Sequence, residues 1–316
     1  MNNDTRPLVS VITPTYNRAD LLPETIESVL AQDYPNFEYI ILDDGSTDNT
    51  QQILAKYNDP RLKWETHPNM GETRTVNKGF QMAKGEYIAV VNSDDPILPG
   101  FISKVAAFLQ QRPEALVVYP DWLMIDEHSN PIKEIIVREF SYPEMLREHH
   151  CHVGPGGMIR RRAIELEKGR DPNWRYVGDY EFWLRVALHG SFIRIPETLV
   201  CWRSHSGGAT KTAANITIAK EHIEVVDTYY NRSDIPQEVK AVEREARCNA
   251  HYIAALLCLP EKRAKARILF LRSIVIYPFA PLRYKDLMRS WLLMLRVILL
   301  PGWFYRILRK LKQELL

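Results

Sequence analysis

The sequence predicts an α/β protein with a mainly parallel sheet that is flanked by helices and followed by a helical extension. Three observations support this prediction. Short, continuously apolar segments alternate with amphipathic segments over roughly the first 126 residues, which is typical of strands that helices cover on both faces. Polar clusters follow three of the apolar segments, and from about Asn215 onward the pattern is helical only.

The predicted elements follow one another without a repeat. Residues 8–16 are apolar before they end in polar residues, and in the next segment Leu22, Ile26 and Val29 fall on one helical face. Strands are predicted at residues 8–16, 37–44, 61–67, 86–92 and 115–126, and helices at residues 19–33, 47–58, 71–85 and 100–113. A helix at about 178–189 and a strand at 191–203 complete the globular part.

Composition limits the class of protein. The 316 residues are 46% hydrophobic and 25% charged, which is ordinary for a globular protein with a sizeable core. The formal net charge of +2 by itself says nothing about nucleic acid, and no nucleic-acid partner is predicted. Residues 261–316 nevertheless carry thirteen Lys or Arg against three acidic residues, which gives this stretch +10 and the remainder −8.

Cysteine usage and the N-terminus predict the compartment. The cysteines have no CxxC spacing, and a chain of this size does not depend on disulfides, so free thiols in a reducing compartment are expected. They are Cys151, Cys201, Cys248 and Cys258. The first ten residues lack a basic start followed by an apolar stretch, so no signal peptide is predicted. The expected location is the cytoplasm, either free or at the inner face of the cytoplasmic membrane.

Three polar clusters lie where predicted strands end. In open parallel sheets ligands bind outside the carboxyl ends of the strands, where helix N-termini also gather. Asp, Asn, Gly and Ser are common in turns, and this preference could explain one such cluster. It explains all three clusters together less well. The candidate ligand-binding residues in these clusters are Thr13, Pro14, Thr15, Tyr16, Arg18, Asp43, Asp44, Asn92, Ser93 and Asp94.

The adjacent carboxylates Asp94 and Asp95 predict a cation. Two neighbouring negative charges raise each other's pKa unless a positive charge lies close to them. Carboxylate oxygens suit Mg²⁺ or Mn²⁺, which also take phosphate oxygens and water as ligands. The sequence has no GxxxxGK[ST] loop, so a bound diphosphate would depend on such a metal. The alternative for Asp95 is that it only caps the turn before residues 96–100.

Three ordered blocks resemble one known family. Residues 9–50, residues 69–95 and "GDYEFWLR" at 178–185 are similar to the family 2 inverting glycosyltransferases, which have a Rossmann-like GT-A fold. The resemblance covers roughly residues 7–210. It implies an enzyme of the hexosyl- or N-acetylhexosaminyl-transfer type that moves a sugar from a UDP-sugar to a hydroxyl acceptor, in the synthesis of a cell-surface polysaccharide or glycolipid.

The resemblance also implies roles for individual residues. Thr15 and Tyr16 would line the nucleotide base, and Asp43 would accept a hydrogen bond from a uracil-like edge. Asp94 would be the metal-binding member of the family's DxD motif, and Asp179 would be the catalytic base. From the residues alone, Asp179 could instead be the N-cap of its helix.

The sequence departs from the family pattern at three places. Asn92 replaces the first carboxylate of the DxD motif, which removes one negative charge and should weaken metal binding. Val76 stands where the family has an arginine before Asn77, with Arg74 two places earlier, so Arg74 and Asn77 are further donor-binding candidates. Gly178 stands where a glutamate usually precedes the base.

A loop histidine completes the predicted site. His205 follows the strand at 191–203 and could reach the metal or the diphosphate, with Arg203, Thr210 or Lys211 holding phosphate oxygens. The alternative is an ordinary surface histidine.

The resemblance divides the chain into two parts. Residues 1–214 would be the catalytic domain, with a nucleotide-sugar half at about 1–126 and an acceptor half at about 127–214, and residues 215–316 a helical extension. Within the extension, residues 289–316 combine apolar and basic side chains, which favours a helix in the interface of an anionic membrane. A helical hairpin packed on the catalytic domain or on a homodimer partner is the alternative.

Two other functions stay open from the sequence. A nucleotidyltransferase would share the sheet and the metal chemistry, but it usually has a glycine-rich phosphate loop after the first strand, and residues 13–21 contain no glycine. A non-catalytic module that binds a sugar nucleotide is compatible with Asn92. Turnover of a donor would separate that module from an enzyme.

Overall fold

A computed structural model describes residues 6–205, 207, 215–259, 262–278, 295, 298 and 299. The chain divides into two compact units. The first comprises residues 1–142 and 151–212, and the second comprises residues 143–150 and 213–316. The first unit is the mixed α/β fold that the sequence predicts.

The first half of this unit alternates strands with helices. Its elements are β1 (Val9–Thr15), α1 (Leu22–Leu30), β2 (Phe37–Asp43), α2 (Thr50–Leu54), β3 (Leu62–Thr66), α3 (Glu72–Met82), β4 (Tyr87–Val90) and α4 (Phe101–Gln111). Every residue of β1 is buried, as expected for a central strand that carries helices on both faces. Helix α3 packs closely on β1, because a Cβ atom on Gly79 would lie 2.5 Å from Ile12 Cγ2.

The second half contains more antiparallel pairing. Its elements are β5 (Ala115–Ile125), β6 (Pro131–Ile135), β7 (Met158–Arg160), α6 (Arg161–Glu167), α7 (Gly178–Val186) and β8 (Ser191–Arg203), while α5 (Tyr142–Arg147) belongs to the second unit from residue 143 onward. Strands β6 and β7 and helices α5 and α6 were not predicted. Four of the five residues of β6 are exposed, so it lacks the apolar alternation that marks a strand, and β7 has three residues.

The register of the sheet aligns the strand ends that carry polar residues. The eight-stranded sheet has the order β3-β2-β1-β4-β7-β5-β6, and β8 pairs with β5. The parallel pairing of β1, β2 and β3 sets Thr15 opposite Asp43 and Asp43 opposite Thr66. Ile12 is opposite Val90 in β4, so the residues after β4 leave the sheet at the same edge.

The second unit is helical. It contains α8 (Asn215–Tyr230), α9 (Gln237–Lys240), α10 (Glu243–Cys258) and α11 (Arg263–Ile276), together with residues 143–150. Small side chains let its helices approach closely, since Ala254, Ala255 and Ala266 are buried in one cluster with Phe270. In the part of the chain that the structure describes, no helix combines the length and the apolar composition needed to cross a bilayer.

Candidate active site

Backbone and side-chain hydrogen bonds join the ends of β1 and β2. The Asp44 amide donates to the Thr15 carbonyl at 2.8 Å, and the Asn17 amide donates to Ser46 Oγ at 2.8 Å. Asn17 has a φ of 52°, a left-handed conformation that asparagine tolerates better than most residues. This turn leaves Tyr16 45% exposed at the edge of the sheet.

The predicted donor-binding residues of β1 lie at different depths. Thr13 and Pro14 are buried in the strand, and Thr13 Oγ1 lies 3.1 Å from the Tyr39 hydroxyl. Thr15 is 3% exposed, and its hydroxyl has no hydrogen-bond partner within the described residues. Of this strand and its exit, Tyr16 is therefore the side chain most open to a ligand.

Asp43 and Asp44 have different roles at the end of β2. Asp43 is fully buried, and its two oxygens accept hydrogen bonds from the Ser46 amide at 3.1 Å and the Thr66 hydroxyl at 2.8 Å. Asp44 accepts from the amides of Met70 at 2.7 Å and Gly71 at 2.9 Å, and so holds the loop that leads into α3. Both oxygens of Asp43 are therefore engaged inside the protein, and its carboxylate is closed to a ligand in this structure.

The polar cluster after β4 separates into protein-facing and cleft-facing groups. Asp95 is buried, and its oxygens accept hydrogen bonds from the Arg203 amide at 2.8 Å and the Asn92 side chain at 2.9 Å. Burial raises the pKa of Asp95, the charge of Asp94 raises it further, and the two hydrogen bonds oppose the rise. Ser93 is also buried, and its carbonyl accepts from the Thr25 hydroxyl at 3.2 Å. The structure thus turns Asp95 toward the protein, where it holds β8 and Asn92 rather than the turn at residues 96–100 that the capping alternative involved.

Asp94 has two neighbours that are basic. Arg18 Nε donates to Asp94 Oδ2 at 3.2 Å, and His205 Nε2 lies 3.0 Å from the same oxygen. Arg18 also donates to the carbonyls of Asn17 at 3.1 Å and Gly207 at 2.9 Å. The guanidinium of Arg18 is therefore one positive charge that stabilises the paired carboxylates in this structure.

The donor set at Asp94 fits a cation that is bound together with substrate. One carboxylate and one imidazole converge at the edge of the sheet, and Mg²⁺ or Mn²⁺ commonly takes one or two protein ligands with phosphate oxygens and water. Among the described residues, no three His, Cys, Asp or Glu side chains are arranged to hold a metal. The site therefore lacks the side chains of a cage built from protein alone, and a bound ion would share Asp94 with Arg18 or displace it.

Arg203 supports this site from inside the protein. Its side chain is fully buried and donates to the carbonyl of Asp94 at 2.9 Å, the carbonyl of Asp126 at 3.1 Å and Glu24 Oε2 at 2.6 Å. The prediction that Arg203 holds phosphate oxygens is wrong, because its guanidinium is enclosed by these acceptors. The other two predicted phosphate contacts, Thr210 and Lys211, lie outside the described residues.

Replacing Arg203 is expected to destabilise the first unit. Arg203→Met leaves two buried carbonyl oxygens without their donor, which should lower the free energy of unfolding by about 3 kcal/mol. Urea denaturation compares the variant with the wild type. Glu24→Gln, which keeps a hydrogen-bond acceptor for Arg203, should cost about 1 kcal/mol or less. Equal stability of Arg203→Met and the wild type would contradict the supporting role.

Asp179 lies in the first turn of α7. The N-cap residue of this helix is Val177, so Asp179 does not occupy the cap position that the sequence left as an alternative. Asp179 is exposed, and Asp179 Oδ1 accepts a hydrogen bond from the Tyr180 amide at 2.7 Å. The start of α7 is tied to α3, because the Thr73 hydroxyl donates to the Trp174 carbonyl at 3.0 Å.

Glu72, at the start of α3, links Asp179 electrostatically to Asp94. The pKa of Glu72 is raised, first because protein surrounds its carboxyl group and then by the charges of Asp179 and Asp94, while Arg170 opposes the rise. Its side chain is nevertheless 54% open to solvent, as on the wall of a cleft. Arg170 Nη1 lies 3.3 Å from Glu72 Oε1. Glu72 is therefore close enough to both Asp94 and Asp179 for their charges to act on it, and it stands on the wall of a cleft.

A cavity of about 510 Å³ adjoins this cleft. It is lined by Asn69, Met70, Gly71, Glu72, Thr73, Arg74, Pro172, Trp174 and Arg175. Asp44 fixes one wall through the amides of Met70 and Gly71. Glu72, Pro172 and Arg175 could not be predicted as site residues, because tertiary contacts such as the hydrogen bond from Thr73 to the Trp174 carbonyl bring their two segments together.

Arg74 and Asn77, both predicted to bind the donor, differ in the structure. Arg74 is exposed on the cavity wall. Asn77 donates to the Arg170 carbonyl at 2.7 Å and accepts from the Arg170 amide at 2.8 Å. The side-chain amide of Asn77 thus bonds both the N–H and the carbonyl of Arg170, as a neighbouring backbone would. Its nitrogen and its oxygen are therefore both used in holding the loop before α7.

These two positions should respond to substitution in opposite ways. Asn77→Ala is expected to lower the free energy of unfolding by about 2 kcal/mol, because the amide and carbonyl of Arg170 lose their partner. Arg74→Ala is expected to change stability by less than about 0.5 kcal/mol and to weaken binding of an anionic ligand. Thermal unfolding and titration with nucleoside diphosphates measure the two effects. Weaker nucleotide binding by a fully stable Asn77→Ala would instead favour direct donor contact.

Solved structures share this fold. TarS 1-349 of S. aureus, in complex with UDP-GlcNAc, aligns with a TM-score of 0.63 at 18% identity, over 84% of this chain and 88% of that chain. The mannosyltransferase PcManGT from Pyrobaculum calidifontis, in complex with GDP-Man and Mn²⁺, aligns with a TM-score of 0.61 at 18% identity, over 93% and 85%. The predicted GT-A fold is confirmed by these similarities.

Sequence relatives carry glycosyltransferase names. The chain is 36% identical over 190 residues to TuaG of Bacillus subtilis (strain 168), whose name proposes a role in teichuronic acid biosynthesis, and this covers 58% of the chain and 74% of TuaG. It is 29% identical over 241 residues to chondroitin synthase of Pasteurella multocida (strain Pm70), covering 72% of the chain. The matched region is 24% of that synthase, so this chain corresponds to about a quarter of it.

A family model covers the sites at the strand ends. The model described as Glycosyl transferase family 2 matches residues 10–166, a range that includes all three polar clusters. Together with the 36% identity to TuaG, this match confirms the resemblance drawn from the sequence motifs. The chain belongs to glycosyl transferase family 2.

Proposed function

We propose that this chain is an inverting glycosyltransferase that moves a sugar from a UDP-sugar to a hydroxyl group of a saccharide or lipid-linked acceptor. One observation carries the proposal. His205 Nε2 lies 3.0 Å from Asp94 Oδ2 at the carboxyl edge of the sheet, and the exposed Asp179 lies in the first turn of α7, next to the loop that the Thr73–Trp174 hydrogen bond ties to α3. Inversion requires a cationic environment for the leaving diphosphate and a base for the attacking hydroxyl, and these residues are candidates for both.

The donor would bind across the ends of β1 and β2. Tyr16 offers an exposed aromatic face for the base, and Asp43 would accept a hydrogen bond from the edge of the base if the turn at Ser46 opened. The guanidinium of Arg18, which contacts Asp94 in this structure, would also contact the diphosphate. The UDP-GlcNAc in the TarS structure supports a uridine nucleotide as the donor. Because PcManGT binds GDP-Man, GDP-sugars are also tested in the experiment below.

Asp94 and His205 would hold a divalent cation, Mn²⁺ or Mg²⁺, with the diphosphate. Such an ion stabilises negative charge on a leaving phosphate as a Lewis acid. Arg203 fixes the Asp94 backbone, so that the carboxylate stays aimed at the cleft. Asp95 would contribute through this support rather than as a ligand, because both of its oxygens already accept hydrogen bonds.

Asp179 would take the proton from the acceptor hydroxyl. It is exposed, and the Tyr180 amide orients one of its oxygens, so the other can face the acceptor. The cavity lined by Arg74, Trp174 and Arg175 lies beside α7 and is large enough for a sugar residue. The names of the relatives, chondroitin synthase and a teichuronic acid glycosyltransferase, support an acceptor in polysaccharide synthesis.

The two units would divide the work. Residues 1–214 would form the catalytic domain, a range that differs from the first compact unit at residues 143–150 and 213–214. Residues 215–316 would form the helical extension and place the enzyme at the cytoplasmic face of a membrane through residues 289–316, most of which lie outside the described residues. A cell-surface polysaccharide or glycolipid would be the product.

Release of nucleoside diphosphate tests the proposal. Purified full-length protein is incubated with UDP-, GDP- and dTDP-sugars in the presence of Mn²⁺, Mg²⁺ or EDTA. Slow hydrolysis or transfer from a UDP-sugar, abolished by EDTA, is the expected result. Binding measured in the same samples separates the alternatives, because tight binding without turnover on any acceptor would favour a non-catalytic module, and no binding would contradict the proposal.

A further inference from the structure

The outer face of α11 is apolar. Ala264, Ile268, Leu271 and Val275 follow one another at intervals of four, three and four residues, so they lie in one stripe along the helix. All four are exposed, and Val275 is 79% open to solvent. A surface helix normally places polar side chains on this side.

The opposite face of α11 already packs on its own unit. Ala266, Leu269, Phe270 and Ser273 are buried, and the rings of Phe270 and Tyr252 lie 5.8 Å apart. Because this face forms the core with α10, the helix cannot turn its outer stripe inward without exposing Phe270 and Leu269. The outer stripe is therefore a second apolar face of a helix that has already buried one.

Only positive charges accompany this stripe. Residues 262–278 contain five Lys or Arg and no acidic residue. Lys265 and Arg272 are exposed, and the helical period sets both of them along one flank of the stripe. Apolar side chains bordered by long basic ones are typical of helices that lie in the interface of an anionic bilayer, where the basic groups reach the phosphates.

The apolar exposure continues in the described residues beyond α11. Ile298 packs against the same helical core, while Leu295 and Leu299 are exposed, Leu299 at 74%. Both segments belong to the second unit. Two segments of this unit therefore carry exposed apolar side chains.

We propose that the outer face of α11 docks on an anionic lipid bilayer. Ile268, Leu271 and Val275 would enter the boundary between headgroups and acyl chains, and Lys265 and Arg272 would contact lipid phosphates. Charge complementarity favours lipid over a second copy of this chain, because a two-fold contact through α11 would set its positive charges against themselves. The docking does not depend on glycosyl transfer and involves residues other than 289–316.

Sedimentation with vesicles tests the apolar stripe. Full-length protein is mixed with vesicles of phosphatidylcholine alone or with added phosphatidylglycerol, without a sugar nucleotide. Binding to the anionic vesicles is expected, and Leu271→Gln/Val275→Gln should weaken it at least ~10-fold. The matched control is Leu166→Gln, which changes an exposed leucine of α6 in the first unit and should bind as the wild type does.

Variants of Lys265 and Arg272 and a measurement of the oligomeric state complete the test. Lys265→Gln and Arg272→Gln should each weaken anionic binding about fivefold, and added salt should weaken it further. Unchanged binding by Leu271→Gln/Val275→Gln, with unchanged thermal unfolding, would overturn the proposal. So would a change in oligomeric state caused by that variant in the absence of vesicles, since it would identify a second copy as the occupant.

Discussion

Asp179→Asn is expected to slow sugar transfer by ~10² to 10⁴-fold, the range in which general base catalysis acts. The amide cannot take a proton from the acceptor hydroxyl. It keeps the size of the carboxyl group, and its oxygen can still accept the hydrogen bond from the Tyr180 amide. Because Asp179 is exposed in the first turn of α7, the fold should tolerate the change. Nucleoside diphosphate release with acceptor measures turnover, and titration measures donor affinity.

Donor affinity is the discriminating measurement for this variant. The proposed base contacts the acceptor side of the cleft, so the dissociation constant of the nucleotide should change by less than about threefold. Asp171→Asn is the matched control. Asp171 lies in the loop before α7, where it accepts a hydrogen bond from the Asn173 amide at 2.9 Å, and its variant should keep wild-type turnover. Full turnover by Asp179→Asn would require another residue as base.

The sheet and the general place of the site could be predicted from the sequence. Continuous apolar strands specify a covered parallel sheet, and parallel pairing brings polar strand ends to one edge. The register of β1, β2 and β3 agrees with this expectation, since Thr15, Asp43 and Thr66 are aligned across the three strands. The strand at 191–203 was predicted with the bounds that the structure gives to β8.

The partners of the polar residues could not be predicted, because they are distant in the sequence. Asp94 pairs with Arg18, Asp95 with the amide of Arg203, and Asn77 with the backbone of Arg170. A carboxylate or an amide has the same chemistry whether it faces a ligand or a backbone group. The clusters therefore predicted which strand ends meet at one edge, while tertiary contacts decided which of their members face the cleft.

The pairing of Arg18 with Asp94 gives the second large expected effect. Asp94→Asn should abolish binding of Mn²⁺ in the presence of UDP within the measured range and reduce turnover by ~10³-fold, since a Lewis acid contributes several kcal/mol to the transition state. Arg18→Ala should act in the opposite direction on the metal. Arg18 Nε donates to Asp94 Oδ2. Removing Arg18 frees this oxygen for the metal ion and takes away a positive charge that repels the ion.

Opposite signs make this pair of variants informative. Arg18→Ala should bind Mn²⁺ about fivefold more tightly in the absence of nucleotide, as expected for the loss of an ion pair at a partly exposed site, yet bind UDP more weakly because a positive charge near the diphosphate is gone. Calorimetric titrations with Mn²⁺ and with UDP measure both. Arg232→Ala removes an arginine that pairs with Asp234 at 2.6 Å in the second unit and should change neither.

Two outcomes would contradict the assignment of Asp94. Wild-type Mn²⁺ affinity in Asp94→Asn would mean that the metal binds elsewhere. Weaker Mn²⁺ binding in Arg18→Ala would mean that Arg18 orients Asp94 toward the ion rather than competing with it. The second result would also bear on Asn92, which replaces a carboxylate. If the site needs Arg18 to hold Asp94 in position, its affinity for Mn²⁺ is limited by the orientation of Asp94 and not by the negative charge that is missing at Asn92. Tighter binding, in contrast, would mean that negative charge limits the affinity, and Asn92→Asp should then tighten it further.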